Sequence, residues 1–146
     1  MAYGLSSLLS MKENDTPIGL GPIKFLNLWA GFINQSRIDE LVALYRNGAV
    51  LMPTFSPNSV RNEMDLRHYF EGLAEKKGLQ VRVHEKNLDC LQIEKNCYVV
   101  GGSYDFSFEV NGAIQTFPSR FTFVIDLEQD NPILHHHSSE IPSSLS

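Results

Sequence analysis

The residues best equipped for chemistry lie late in the chain. The run Pro132-Ile-Leu-His-His-His-Ser-Ser-Glu-Ile-Pro142 sets three imidazoles side by side. It falls in a strand pattern, so His135 and His137 share one face and His136 points to the other. An i, i+2 pair can chelate a metal, but zinc sites take three or four ligands. His68 and His84 stand alone and no matching Asp or Cys cluster occurs, so no metal site is expected. Arg120 is the second candidate. A mid-strand arginine is costly to bury without an anion or carboxylate partner. Asp105, diagonal on the neighbouring strand, could be that partner, or a carboxylate ligand could. An acid–base dyad of His136 with Asp105 is the other chemistry these types allow. No nucleophile elbow, phosphate loop, dinucleotide glycine motif or zinc-protease helix occurs, and no cofactor is expected.

The chain that must position these groups has 146 residues, enough for one domain with a sizeable core. Its net charge of −5, with no clustered Lys or Arg, argues against nucleic acid. No apolar run approaches the roughly 20 residues of a membrane span. The start, MAYGLSSLLSMKENDTP, lacks the basic region of a secretory signal, so the chain reads as cytoplasmic. Cys90 and Cys97 then read as reduced thiols.

Residues 1–16 are polar and aperiodic and read as a flexible N-terminal arm, residues 17–142 as a single domain, and 143–146 as a frayed tail. Ile18, Phe25, Leu26, Trp29, Phe32 and Ile33 recur at helical spacing from Pro17 to about Gln35. Ser36 caps a short second helix, Arg37 to Tyr45, closed by Asn47-Gly48. A strand follows from Ala49 to Met52, then a loop, then a third helix from Glu63 to Lys77. Arg67, Lys76 and Lys77 are interspersed there with Glu63, Asp65, Glu71 and Glu75. That is a solvated face, and calmodulin binding is not expected. Everything after Gly78 alternates as strands. Helices followed by a meander make an α+β domain, with one sheet packed on helices.

Asn111-Gly112 is a strong two-residue hairpin signal. Counting outward pairs Phe106 with Phe117, Tyr104 with Ser119, Gly102 with Phe121, Val100 with Phe123 and Tyr98 with Ile125, all on one face. The other face pairs Asp105 with Pro118, Ser103 with Arg120 and Val99 with Val124. Both faces want cover, which a dimer through the sheet would supply. The alternative is an aromatic core face and a solvated mixed face. Gly101-Gly102 suggests a bend, and Pro118 an edge or bulge. A curved sheet closing over helices makes a conical cavity.

The order helix–helix–strand–helix–strands resembles the nuclear transport factor two-like fold, whose superfamily also houses ketosteroid isomerase and polyketide cyclases. Leu41-Val-Ala-Leu-Tyr45, Val50-Leu-Met-Pro-Thr54, His68-Tyr-Phe70, Gly102-Ser-Tyr-Asp-Phe106, Ser119-Arg-Phe-Thr-Phe-Val124 and His135-His-His-Ser-Ser139 resemble the association domain of calcium/calmodulin-dependent protein kinase II and its bacterial stand-alone relatives. The resemblance covers about residues 20–142. It implies a cone of three helices on a strongly curved, mostly antiparallel sheet of about six strands. It implies no kinase activity, a homodimer or a ring of dimers, and a pocket that holds small carboxylates through arginines. Arg120 matches one pocket arginine. Two others fall on Ser138 and near Asp105. The expected pocket is Trp29, Tyr45, Thr54, Tyr69, Ser103, Asp105, Arg120, His136 and Ser138. The resemblance puts the Arg120 face inside the cone and the aromatic face in the dimer. The expected interface is therefore Tyr98, Tyr104, Phe106, Phe117, Phe121 and Phe123, with His135 and His137. The alternative function is a small lyase, isomerase or cyclase using His136, Asp105 or Tyr45 as acid or base.

Overall fold

The computed structural model describes residues 20–142; the expected arm and tail lie outside the described residues. Helix α1 runs Leu20–Asn34 and α2 Ile38–Ala43. Strand β1 follows at Tyr45–Met52, then α3 at Glu63–Ala74. The remaining strands are β2 Gln80–Val83, β3 Asp89–Glu94, β4 Cys97–Val110, β5 Ala113–Asp126 and β6 Ile133–Glu140. Tyr45 opens β1 rather than closing α2, so its side chain belongs to the sheet. The side-chain amide of Asn62 accepts from the Asp65 N–H at 2.8 Å and caps α3.

The strands form one sheet in the order β1-β6-β5-β4-β2, with β3 also pairing β4. β1 and β6 are parallel and every other pair is antiparallel. The hairpin register is the one the turn dictates, from Val110 against Ala113 to Cys97 against Asp126. Asn111 and Gly112 both take positive φ, 52° and 86°, as a type I′ turn requires. β6 ends at Glu140 opposite Ser119; the Pro118 carbonyl takes the Ile141 N–H at 2.8 Å, and the pairing stops there, where Pro118 has no N–H to give. Gly102 permits close packing. A Cβ there would stand 2.7 Å from Leu88 Cδ2 and 3.0 Å from the Phe121 ring.

The helices lie on the aromatic face. Trp29 of α1 stacks on Tyr104 with centroids 5.2 Å apart and meets Phe123 edge-on at 5.5 Å. Phe25 meets Phe123 edge-on at 5.7 Å. Asn34, at the end of α1, accepts from the Val81 N–H at 2.7 Å and donates to the Val81 carbonyl at 3.0 Å, tying the helix to β2. This corrects the face assignment implied by the resemblance. Tyr98, Tyr104, Phe106, Phe121 and Phe123 are buried in the chain's own core and cannot also face a partner. Phe117 is half-buried on the same side, stacked on Phe108 at 4.8 Å and edge-on to Phe55 at 5.6 Å. The physical reason is area: the helices bring Phe25, Leu26, Trp29 and Ile33, and aromatic rings bury the most apolar surface against them.

Candidate functional site

The closed end of the cone holds a connected set of polar side chains drawn from five segments. Trp29 Nε1–H of α1 donates to Tyr45 Oη of β1 at 3.2 Å. Tyr45 Oη lies 2.8 Å from Nδ1 of His136 on β6. The other ring nitrogen, Nε2, lies 3.0 Å from Tyr104 Oη on β4. Tyr104 donates to Ser138 Oγ at 2.6 Å, and Ser138 bonds Thr54 Oγ1 in the loop after β1. His136 and Ser138 alternate onto the inner face of β6 as their spacing requires. Phe123 lies under the imidazole, stacked at 3.8 Å.

An indole N–H can only donate, so Tyr45 Oη accepts there and gives its own hydrogen to Nδ1. A neutral imidazole that accepts at Nδ1 donates from Nε2, and Tyr104 passes its hydrogen on to Ser138. All bonds then run one way, from Trp29 outward. Any other order strands a buried hydroxyl hydrogen, at a cost of about 1–3 kcal/mol. Burial pushes the His136 pKa well down, and the adjacent His135 and His137 add to this. Burial likewise raises the Tyr45 and Tyr104 phenols, and takes Tyr69 up to about 12.

Six of the nine expected pocket residues meet here: Trp29, Tyr45, Thr54, Tyr69, His136 and Ser138. Five of these line a small hollow of about 10 Å³, room for about one water-sized group. Tyr45 joins them through His136. Aromatic side chains occupy the rest of the expected conical cavity. Thr54 and Ser138 also line a cleft of about 230 Å³ outside the cone, between the ends of β1 and β6.

The other three do not belong. Ser103, Asp105 and Arg120 stand on the outer face, because the inner face is the aromatic one. Asp105 bonds His84 Nε2 at 3.1 Å and Arg82 at 3.9 Å, both from the β2 side. It is therefore neither the partner of Arg120 nor a dyad with His136. Arg120 is exposed, opposite Ser103 and Ser139, and cannot hold a carboxylate inside the cone. His135 and His137 are on the outer face. No group of three or more His, Cys, Asp or Glu is placed to hold a metal ion among the described residues. The residue missed by sequence reasoning is Tyr104, which links His136 to Ser138. Alternation puts it on the face of Phe106, but only the packing of Trp29 makes that face the inner one.

Residues 23–144 match the family model of the SnoaL-like domain. The chain is a SnoaL-like domain. No curated protein matches it by sequence. Solved structures share its fold. One, from Xanthomonas campestris, is named for the calcium/calmodulin-dependent protein kinase II association domain. It superposes with a TM-score of 0.78 at 22% identity, over 89% of this chain and 92% of the other. The beta subunit of benzoate 1,2-dioxygenase from Burkholderia mallei gives 0.67 at 14% identity, over 83% and 89%. A ketosteroid isomerase-like protein from Erwinia carotovora atroseptica gives 0.61 at 12%, over 79% and 89%. At such identities the likeness shows the fold alone. No helix of this SnoaL-like domain is long and apolar enough to cross a membrane among the described residues.

Proposed function

We propose that this SnoaL-like domain binds a small polar molecule at the Thr54–Ser138 end of its cone, without converting it, and works as a dimer. The observation that carries the reading is the state of the titratable groups around the closed end. Burial raises the phenols of Tyr45, Tyr69 and Tyr104 and lowers the imidazole of His136, so all four stay neutral near pH 7. A general acid or base works best with its pKa near the operating pH, and these are tuned away from it. Neutral, mutually bonded donors and acceptors suit holding a ligand. The imidazole reports this directly: a catalytic His136 would titrate near neutrality, and a binding one would not.

The outer face favours a dimer. Leu91, Val99, Val124, His135 and Val50 form a single cross-strand row over β3, β4, β5, β6 and β1. Leu91 is 66% exposed, and Met52 in the next row 43%. A second copy of the same row would cover this apolar band, sheet against sheet about 10 Å apart. His135 and His137 fit the expected interface; the six aromatics do not. Sedimentation equilibrium at micromolar concentration should give a dimer for the wild type. Val124→Glu places an unpaired carboxylate in the band and should weaken association about a hundredfold, with an unchanged circular dichroism spectrum. A monomeric wild type, or a Val124→Glu variant that still dimerises, would sink the assembly half of the proposal.

A further inference from the structure

The chain of bonds at the closed end carries one hydrogen more than it uses. Trp29, Tyr45, His136, Tyr104, Ser138 and Thr54 each bring one polar hydrogen to five mutual bonds. Indole can only donate, and a surplus on Tyr45 or Tyr104 would seal a donor in the core. The surplus therefore falls on whichever of Ser138 and Thr54 accepts from the other. Ser138 is 5% exposed on the inner face, and both side chains line the small hollow there.

A second hydrogen reaches the same hollow from the helical side. Tyr69 of α3 lines it too. The Tyr69 oxygen meets the Phe55 backbone in a contact that lowers the phenol pKa, so it accepts from the N–H there and keeps its own hydrogen to give. The phenol stands near enough to Tyr45 and Tyr104 for its charge to raise both of theirs. Among the described residues no side chain is placed to accept either spare hydrogen. Two donors thus border a space of about 10 Å³, the size of one water, with Leu51, Phe70, Leu73 and Phe106 around it. An apolar group there would leave both hydrogens unpaired, and an ion would be costly among such walls. Tyr104 Oη also lines the hollow. It accepts from His136 and keeps one lone pair for a further donor.

We infer that the hollow binds one water, which accepts from Tyr69 and from the Thr54–Ser138 pair and donates to Tyr104. The water ties α3 to β6 and to the loop after β1. Any ligand head that enters the hollow must take over both accepted bonds or lose affinity. The site follows from the bond chain and the hollow alone, whether or not the cone end also binds a ligand.

A crystal structure of the full chain, at a resolution that shows ordered water, is the direct test. The expected result is a single peak about 2.6–3.2 Å from Tyr69 Oη and from Oγ of Ser138 or Oγ1 of Thr54. Thr54→Val should keep the peak, now bonded to Ser138, because the spare hydrogen then falls there. Tyr69→Phe removes one accepted bond and should shorten the water's residence about fivefold, the scale of one neutral hydrogen bond. Oxygen-17 relaxation dispersion reads that residence without interference from exchanging hydroxyl hydrogens. Three outcomes would each overturn the inference: no peak in the wild type, a peak that reaches only one of the two spare donors, or an unchanged residence in Tyr69→Phe. The wild-type density decides alone if Tyr69→Phe fails to fold.

Discussion

Trp29→Ala is expected to cost about 3–5 kcal/mol of stability, the range for emptying a buried aromatic site. Trp29 is 1% exposed and meets Tyr104, Phe106, Phe123 and the His136 ring. Those partners sit on hydrogen-bonded strands, so the site cannot collapse to fill the gap. The substitution also removes the only group that donates to Tyr45 Oη among the described residues. Thermal unfolding should fall by roughly 10–15 °C. Trp29→Phe keeps a ring and loses the N–H, and should fall between the two. A loss of less than about 1 kcal/mol for Trp29→Ala would mean that α1 does not seal the aromatic face.

The second large effect is on acid stability. His136 is buried neutral, and its folded pKa lies well below the ordinary value near 6.5. Well above about pH 6.5 the ring is neutral in both states, and its contribution is complete. Below that, the unfolded chain takes up a proton that the folded chain refuses. Stability is then lost at up to about 1.4 kcal/mol per pH unit as the pH falls toward the folded pKa. This residue alone should therefore make stability fall steadily as the pH drops below about 6.5. Urea unfolding across that range measures it. His136→Gln retains a donor and an acceptor but does not titrate, so the difference between the two profiles isolates the ring. Parallel profiles would show that the ring is not held neutral.

The hairpin was legible because Asn111-Gly112 sets its register without reference to the rest of the chain. Alternation then told which residues share a face. It could not tell which face the helices would cover, because both carry apolar residues. Trp29 decides that, through contacts with Tyr104 and Phe123 some 75 or more residues away. The opposite face assignment puts Arg120 and Asp105 into the cone and Tyr104 out of it. The carboxylate of Asp105 is claimed by His84 and Arg82, and the β2 pairing that brings Arg82 opposite it leaves no mark in local pattern. His136 and Ser138 were legible as an alternating pair. Their partners Tyr45, Tyr104 and Thr54 were not legible as partners, since sequence separations of 91, 34 and 84 residues carry no spacing signal. Tyr45 was further obscured because it fits the apolar face of α2 as well as it fits the first position of β1.

The one-way order of bonds requires a neutral His136 that accepts at Nδ1 and donates at Nε2. Nitrogen-15 shifts of its ring, followed from about pH 7.5 to pH 5, read both properties at once. The expected result is a pyridine-like Nδ1 and a pyrrole-like Nε2 with no titration centred near the ordinary value. A protonated Nδ1 in the neutral ring, or a titration centred near the ordinary value of about 6.5, would contradict it.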